Sequence, residues 1–405
     1  MPGDRGVATS VAPVALAEHD VAIVSNKGAR RWLRGHPWIY RSDVTTRPAV
    51  AAGAVRVLDL RGKPLGVALW SPASEISLRL LDQRAIVTLD DAWWRARISA
   101  AIDPRRPLES QTTAYRLIHG EADALPSLIC DRYGDVLVVQ LMSAGIEAFR
   151  SIIVDTLDTL LRPAGILARN DVPLRAKEHL PLEVELLRGA VPEEIEVNEH
   201  GVRFLAAPWH GQKTGAFLDQ RENRVMIGEL ARGRALDCFS YHGSFALHLA
   251  RRALSVVALD TSAEALRRAG ANGALNGMTN IELVEADAFE YLRARSAAGE
   301  RFDTIVVDPP AFAKTRASLP AALRGYKEIN LRALKLLAPG GLLFTASCSF
   351  HLSKPLFLEM LADAAADSGR RIALRATTGQ PSDHPEILTI PETGYLKGAV
   401  LEVVD

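Results

Sequence analysis

Cysteine is scarce in this chain of 405 residues: Cys130, Cys238 and Cys348 are the only three. None belongs to a Cys-x-x-Cys pair and no histidine pair stands at zinc spacing, so neither a disulfide framework nor a structural zinc is indicated, no metal is expected, and a reducing cytoplasm fits. Net charge is also lacking, because 48 Lys and Arg balance 48 Asp and Glu. Any affinity for nucleic acid must therefore come from a local patch. No run approaches the roughly twenty apolar residues of a membrane helix, and no internal repeat is present. The short apolar run over residues 11–17 contains Pro13 and has no strongly basic lead-in. It is read as part of a frayed tail over residues 1–20 rather than as a signal peptide.

What is present is the composition of a globular protein of two or three domains, 48% hydrophobic and 24% charged. Residues 21–84 read as short strands broken by turns, which predicts a small β-barrel. Residues 27–41 place Lys27, Arg30, Arg31, Arg34 and Arg41 among Trp32, Trp38 and Tyr40 with no acid between them. Basic side chains neutralise phosphates and aromatic rings stack on unpaired bases, so this is either an RNA surface or a solvated basic turn beside core tryptophans. Residues 85–200 mix helix and hairpin patterns, an α+β module without a catalytic constellation. Cys130 falls in one of its strands and is read as a small core residue.

From residue 201 to 405 strands and helices alternate regularly, which predicts a doubly wound α/β sheet. The strands are placed at residues 235–239, 255–260, 281–285, 304–308, 341–345 and 372–375, with a last one at 398–404. Such sheets bind ligands at the carboxyl edge. There the first strand ends in Asp237-Cys-Phe239-Ser-Tyr-His-Gly243, where glycine lets the backbone pass close to a ligand. The three-glycine dinucleotide fingerprint is missing. Asp260 ends the second strand, where an acid can take both hydroxyls of a ribose. Asp287 follows the third, where an acid can accept from an adenine amino group. Each is also a plausible helix cap, yet three in register, followed by Asp308-Pro309-Pro310, resemble the class I S-adenosylmethionine methyltransferases.

Two further strand ends carry the chemistry. Asp308 and Cys348 end two continuous apolar runs that would both deliver their polar ends to the same carboxyl edge, so a carboxylate and a thiol can share one pocket. A pyrimidine C5-methyltransferase needs this pairing: a thiolate adds to C6, and an acid steadies the ring while C5 becomes nucleophilic. Phe312 could support the base. An acid followed by Pro-Pro also occurs in enzymes that methylate exocyclic amines, and the Asp-Pro-Pro-x-Phe form in guanine-modifying rRNA enzymes that use no cysteine; Cys348 separates the classes. Lys314 and Lys397 are candidate electropositive neighbours for its thiolate.

The whole chain after the tail resembles the large-subunit rRNA cytosine-5 methyltransferase family. The carriers are Gly35-His-Pro-Trp-Ile-Tyr40, Asp131-Arg-Tyr-Gly134, Gly211-Gln-Lys-Thr-Gly-Ala-Phe-Leu-Asp-Gln-Arg221, Asp308-Pro-Pro-Ala-Phe312, Ser347-Cys-Ser349, Asp383-His-Pro385 and Gly394-Tyr-Leu-Lys-Gly398. The resemblance implies a PUA RNA-binding domain, a central domain and a catalytic domain, S-adenosylmethionine as cofactor and 23S-type rRNA as partner. It also implies that Phe217, Asp219 and Gln220, with Asp237, Phe239, Gly243, Asp260, Asp287, Asp308 and Pro309, hold the cofactor, and that Cys348 is the nucleophile with Asp308 beside it. A homodimer stays open. The chain departs from the family pattern at Ser244, Ala124 and Ser127, where glycines are usual. Uracil-C5 or guanine-nitrogen methylation on the same fold, and a non-catalytic RNA-binding or assembly factor, remain the alternatives.

Overall fold

The computed structural model describes residues 20–84, 88–313 and 315–405. Residues 1–19 of the tail, residues 85–87 and Lys314 thus lie outside the described residues. The first sheet is mixed and six-stranded, built from β1 (Val21–Val24), β2 (Trp38–Ile39), β3 (Val44–Thr46), β4 (Gly53–Asp59), β5 (Pro64–Trp70) and β6 (Leu78–Asp82). Its order is β2-β6-β5-β4-β1-β3. The first half of the basic stretch, with Lys27, Arg30 and Arg31, is a helix, Asn26–Leu33, while Trp38 falls in β2 and Arg41 in the 3₁₀ turn Arg41–Asp43. Ser25 caps the helix by accepting from Gly28 N at 3.2 Å, and Gly28, Ala29 and Trp32 form its buried stripe.

A second sheet, ordered β11-β10-β9-β8-β7, contains β7 (Ala114–His119), β8 (Leu128–Tyr133), β9 (Val136–Leu141), β10 (Gly165–Arg169) and β11 (Val184–Gly189). Helices Asp91–Ile102 and Arg150–Leu161 share its apolar core, in which Cys130 is fully buried. A hairpin of β12 (Ile195–Glu199) and β13 (Val202–Ala206) follows.

The third sheet positions the site. Its strands are β14 (Arg234–Cys238), β15 (Ser255–Asp260), β16 (Ile281–Glu285), β17 (Phe302–Val307), β18 (Leu337–Ser347), β19 (Ile372–Thr378) and β20 (Lys397–Val403), in the order β16-β15-β14-β17-β18-β20-β19. The pairs from β16 through β18 are parallel, and β20 runs antiparallel to both its neighbours. Successive residues feed opposite faces: Leu236, Ile305 and Leu343 pack under helices Leu319–Leu336 and Lys354–Ser368, while Ala235, Val306 and Phe344 pack under helices Arg221–Leu230 and Ser244–Ala250. Burial on both faces explains the continuous apolar runs in the sequence. The strand order reverses at β14 and β17, so a crevice opens at their carboxyl ends.

Candidate active site

The turn after β14 is held by two carboxylates. Asp237 Oδ2 accepts from Ser240 Oγ at 2.6 Å and from Ala246 N at 2.9 Å. Asp260 Oδ2 accepts from Tyr241 N at 2.8 Å and its Oδ1 from Ser262 N at 2.9 Å. These bonds hold Phe239 (φ 65°) and Tyr241 (φ 51°) in the left-handed region, a strain that persists only where the surroundings over-determine it. Gly243 (φ 85°) is required for another reason: a Cβ there would lie 3.0 Å from Ala269 Cβ. The close approach is thus to helix Ala263–Leu275.

A cavity of about 550 Å³ occupies the crevice. Phe217, Asp219, Gln220, Phe239, Asp260, Asp308, Pro309 and Cys348 line it, joined by Lys213, Tyr241, Ser244 and Tyr395. Four other residues singled out in the sequence lie off its wall. Asp237 is fully buried beneath the turn. Gly243 packs on Ala269 as above. Asp287 N-caps helix Ala288–Ala297, accepting from Glu290 N at 3.0 Å. Phe312 sits half-buried, its ring centroid 4.6 Å from that of Tyr326 and 6.2 Å from that of Phe289. Lys27, Arg30, Arg31 and Arg34 line a separate cleft.

Asp308 and Cys348 share the wall because a hydroxyl network fastens their loops. Tyr326 OH lies 2.8 Å from Ser349 Oγ and accepts from Ser347 Oγ at 3.0 Å and from Phe312 N at 3.3 Å; Ala313 N donates to Ser349 Oγ at 3.1 Å. The segments on either side of the two functional groups are therefore tied to one buried phenol.

Charge in the cavity is unevenly held. Burial, reinforced by Asp219, pushes the Asp308 carboxyl up to about 7 against the hydrogen-bonding Gln220 amide and Lys213. Burial likewise raises Asp237 to about 7. Asp219 goes the other way despite its burial. Lys213 Nζ donates to its Oδ2 at 2.5 Å and Tyr395 OH at 2.7 Å, and Lys213 and His384 hold it well below the usual carboxylate range. Burial, with Asp308 and Asp219, raises the half-buried Cys348 thiol above its ordinary value. The other two cysteines are fully buried.

Sequence reasoning did not single out Lys213, Tyr241 or Tyr395 for the site. Lys213 and Tyr395 lie inside two of the family-like segments, which was the available signal. Neither residue type by itself marks a strand end.

Comparison with known proteins decides the family. The profile of the S-adenosylmethionine-dependent methyltransferase family matches residues 115–387, and a PUA-like domain matches residues 22–83. This chain belongs to the S-adenosylmethionine-dependent methyltransferases. Over 394 residues, 95% of the chain, it is 39% identical to ribosomal RNA large subunit methyltransferase I of Shigella boydii serotype 18, and to that of Escherichia coli O157:H7, spanning 100% of each. Among solved structures, a putative SAM-dependent methyltransferase from Streptococcus mutans is similar with a TM-score of 0.80 at 21% identity, covering 95% of this chain and 100% of its own. A putative methyltransferase complexed with SAH has a TM-score of 0.81 at the same identity and coverage. These structures share the methyltransferase fold.

The cavity of this methyltransferase fits a cationic nucleoside. Asp219 Oδ1 is buried without a hydrogen-bond partner in its wall, an acceptor suited to a positive group. Asp260 presents a half-buried carboxylate at a strand end beside apolar Phe239 and Phe245. Among the described residues no cluster of three or more His, Cys, Asp or Glu could hold a metal ion, and no described helix is long and apolar enough to cross a membrane.

Proposed function

We propose that this methyltransferase methylates C5 of a cytosine in large-subunit rRNA, with Cys348 as nucleophile. The observation that carries the reading is the thiol of Cys348 in the same cavity wall as the carboxyl of Asp308. The printed name of the 39% identical relatives supports rRNA as the substrate class. Phe217, Asp219, Gln220, Phe239 and Asp260 would hold S-adenosylmethionine, which supplies an electrophilic methyl group when bound. Asp237 and Gly243 act on it only through the turn they shape.

Cys348 adds to C6 of the cytosine, and the electron pair released toward C5 makes that carbon nucleophilic. Asp308, held largely protonated by its burial below pH 7, donates a hydrogen bond to the ring edge and stabilises the charge that develops there. After methylation a base removes the C5 proton and the thiol leaves. The base must be unstacked or flipped to expose C6. Phe312 is committed to the core, whereas Phe350, two residues beyond Cys348, is 56% exposed and offers a free aromatic face.

RNA carrying 5-fluorocytidine at the target has no removable C5 proton, so the wild-type protein should form an adduct that survives denaturing electrophoresis. Cys348→Ala should form none and transfer no methyl group while still binding cofactor. An adduct on 5-fluorouridine RNA instead would reassign the base to uracil. Substantial methylation by Cys348→Ala would remove the cysteine mechanism and leave guanine-nitrogen chemistry on this scaffold.

A further inference from the structure

Lys397 is buried, 3% exposed, in the strand next to the one that Cys348 directly follows. In the antiparallel pairing of β18 and β20 it stands opposite Ser347. Its Nζ donates to the carbonyl of Ser349 at 2.7 Å and to that of Tyr395 at 2.7 Å, so the head of the side chain is clamped beside residue 348. Among the described residues no carboxylate forms an ion pair with it. An ammonium buried without a counter-charge is costly. The charged groups that act on it are the Cys348 thiol, Lys354 and Glu386. The last two pair with each other at 2.8 Å, which leaves the thiol as the uncommitted acid. Around Cys348 the position is the mirror image. Asp308, Asp219 and Lys213 act on it, and Lys213 is already committed to Asp219 at 2.5 Å.

We propose that Lys397 is the proton partner of Cys348: its neutral amine accepts the S–H proton as the sulfur attacks C6, and the ammonium returns a proton to sulfur when the thiol is expelled. One S–H bond breaks as one N–H forms, and the return step reverses this, so the pair ends a turnover with the protons it began with. Burial supports the exchange by pushing the amine down to about 8 while it raises the thiol. The amine and the thiol act on one another electrostatically and so titrate together, and the reactive form is the pair that has lost one proton. The use of this pair in catalysis rests on the cysteine mechanism proposed above, but its test reads the thiol directly.

Alkylation of Cys348 by iodoacetamide in the full-length protein, followed by peptide mass from pH 6 to 10, is the measurement; Cys130 and Cys238 are fully buried. The wild-type rate should rise near pH 8. In Lys397→Met the rise should move up by one unit or more, making alkylation about tenfold slower at pH 8. A Lys397→Met profile that overlays the wild type, with cofactor binding intact, overturns the proposal. Should Lys397→Met fail to fold, the coupling is read from the other side. In Cys348→Ala, the side-chain Cε NMR resonance of Lys397 should titrate with a midpoint at lower pH than in the wild type, because no thiolate remains to favour the ammonium; an unmoved midpoint overturns the proposal. If instead Cys348→Ala still methylates RNA, the cysteine mechanism fails while the alkylation profiles still decide the coupling.

Discussion

At the residue scale, the cavity stores its tension in carboxyl groups. Asp237 is fully buried with Oδ1 unpartnered, and burial, then the nearby Asp308 and Asp260, raise it from 3.8 to about 7 against its bonds from Ser240 and Ala246. Between about pH 4 and 7 the folded protein therefore keeps a proton that the unfolded chain has lost. Stability contributed by that proton is complete below pH 4 and is lost as pH rises through 7. Asp308 acts with the same sign. Urea unfolding of the ligand-free protein at a series of pH values should show Asp237→Asn losing part of this decline, a difference of up to a few kcal/mol across the window. Two parallel curves would mean that Asp237 is ionised in the fold, its charge met by something other than Ser240 and Ala246.

At the scale of the element, two departures from the family's glycines fall where glycine would relieve strain. Ala124 (φ 55°) ends the short 3₁₀ turn Gly120–Asp123 and Ser127 (φ 64°) follows it, both in the left-handed region. Ala124 is exposed, so its side chain contributes little packing to offset the backbone cost. Ala124→Gly should stabilise the protein by about 1 kcal/mol in urea unfolding, and Ala124→Val should destabilise it; a Gly variant no more stable than wild type would disprove the strain. The strands of the catalytic sheet were legible in the sequence to within a few residues, Ser255–Asp260 and Ile281–Glu285 at both ends. Buried strands such as the first of these announce themselves by apolar runs. The helix Asn26–Leu33 did not, because its apolar stripe is only Gly28, Ala29 and Trp32; the glycine there reads as a turn, although a Cβ would meet Ile39 and Asp43 at 3.2 Å. Eight of the proposed site residues reached the cavity wall. Asp237 and Gly243 shape its turn without lining it, and Asp287 and Phe312 missed it for competing or long-range reasons: a carboxylate at a strand end serves equally as a helix cap, and the ring of Phe312 is captured by Tyr326 and Phe289 from two separate helices.

At the scale of the whole molecule, the neutral total conceals where charge is left over. Buried carboxylates tie the parts together: Asp383 accepts from Arg221 twice at 3.0 Å and from Arg116 N at 2.8 Å, joining the central sheet to the catalytic half. His36 and Glu392, 3.1 Å apart, join the N-terminal sheet's helix region to the C-terminal loop. Beside that contact a cleft of about 330 Å³ is lined by Lys27, Arg30, Arg31, Arg34, His36 and Thr389, with no carboxylate among them. Arg31 is partly spent within the fold, 3.9 Å from Asp43 and stacked 4.4 Å over the Tyr40 ring. Trp32 is in the core and Trp38 donates to Glu121 at 3.0 Å, so phosphate contact rather than base stacking is the chemistry this face offers. Lys27, Arg30 and Arg34 are exposed; Arg30 Nε donates to Asn26 O at 3.2 Å, yet no described carboxylate pairs with any of the three, so their charges can neutralise phosphates. Replacing these three with glutamine, while keeping Arg31, should weaken binding to an rRNA fragment and flatten the plot of log affinity against log salt by about 2, given roughly 0.7–0.9 per phosphate contact. Cofactor affinity should stay at the wild-type value, because the cleft and the cavity share no lining residue. An unchanged salt slope would place the RNA on another face of the protein and leave the basic helix as a solvated surface.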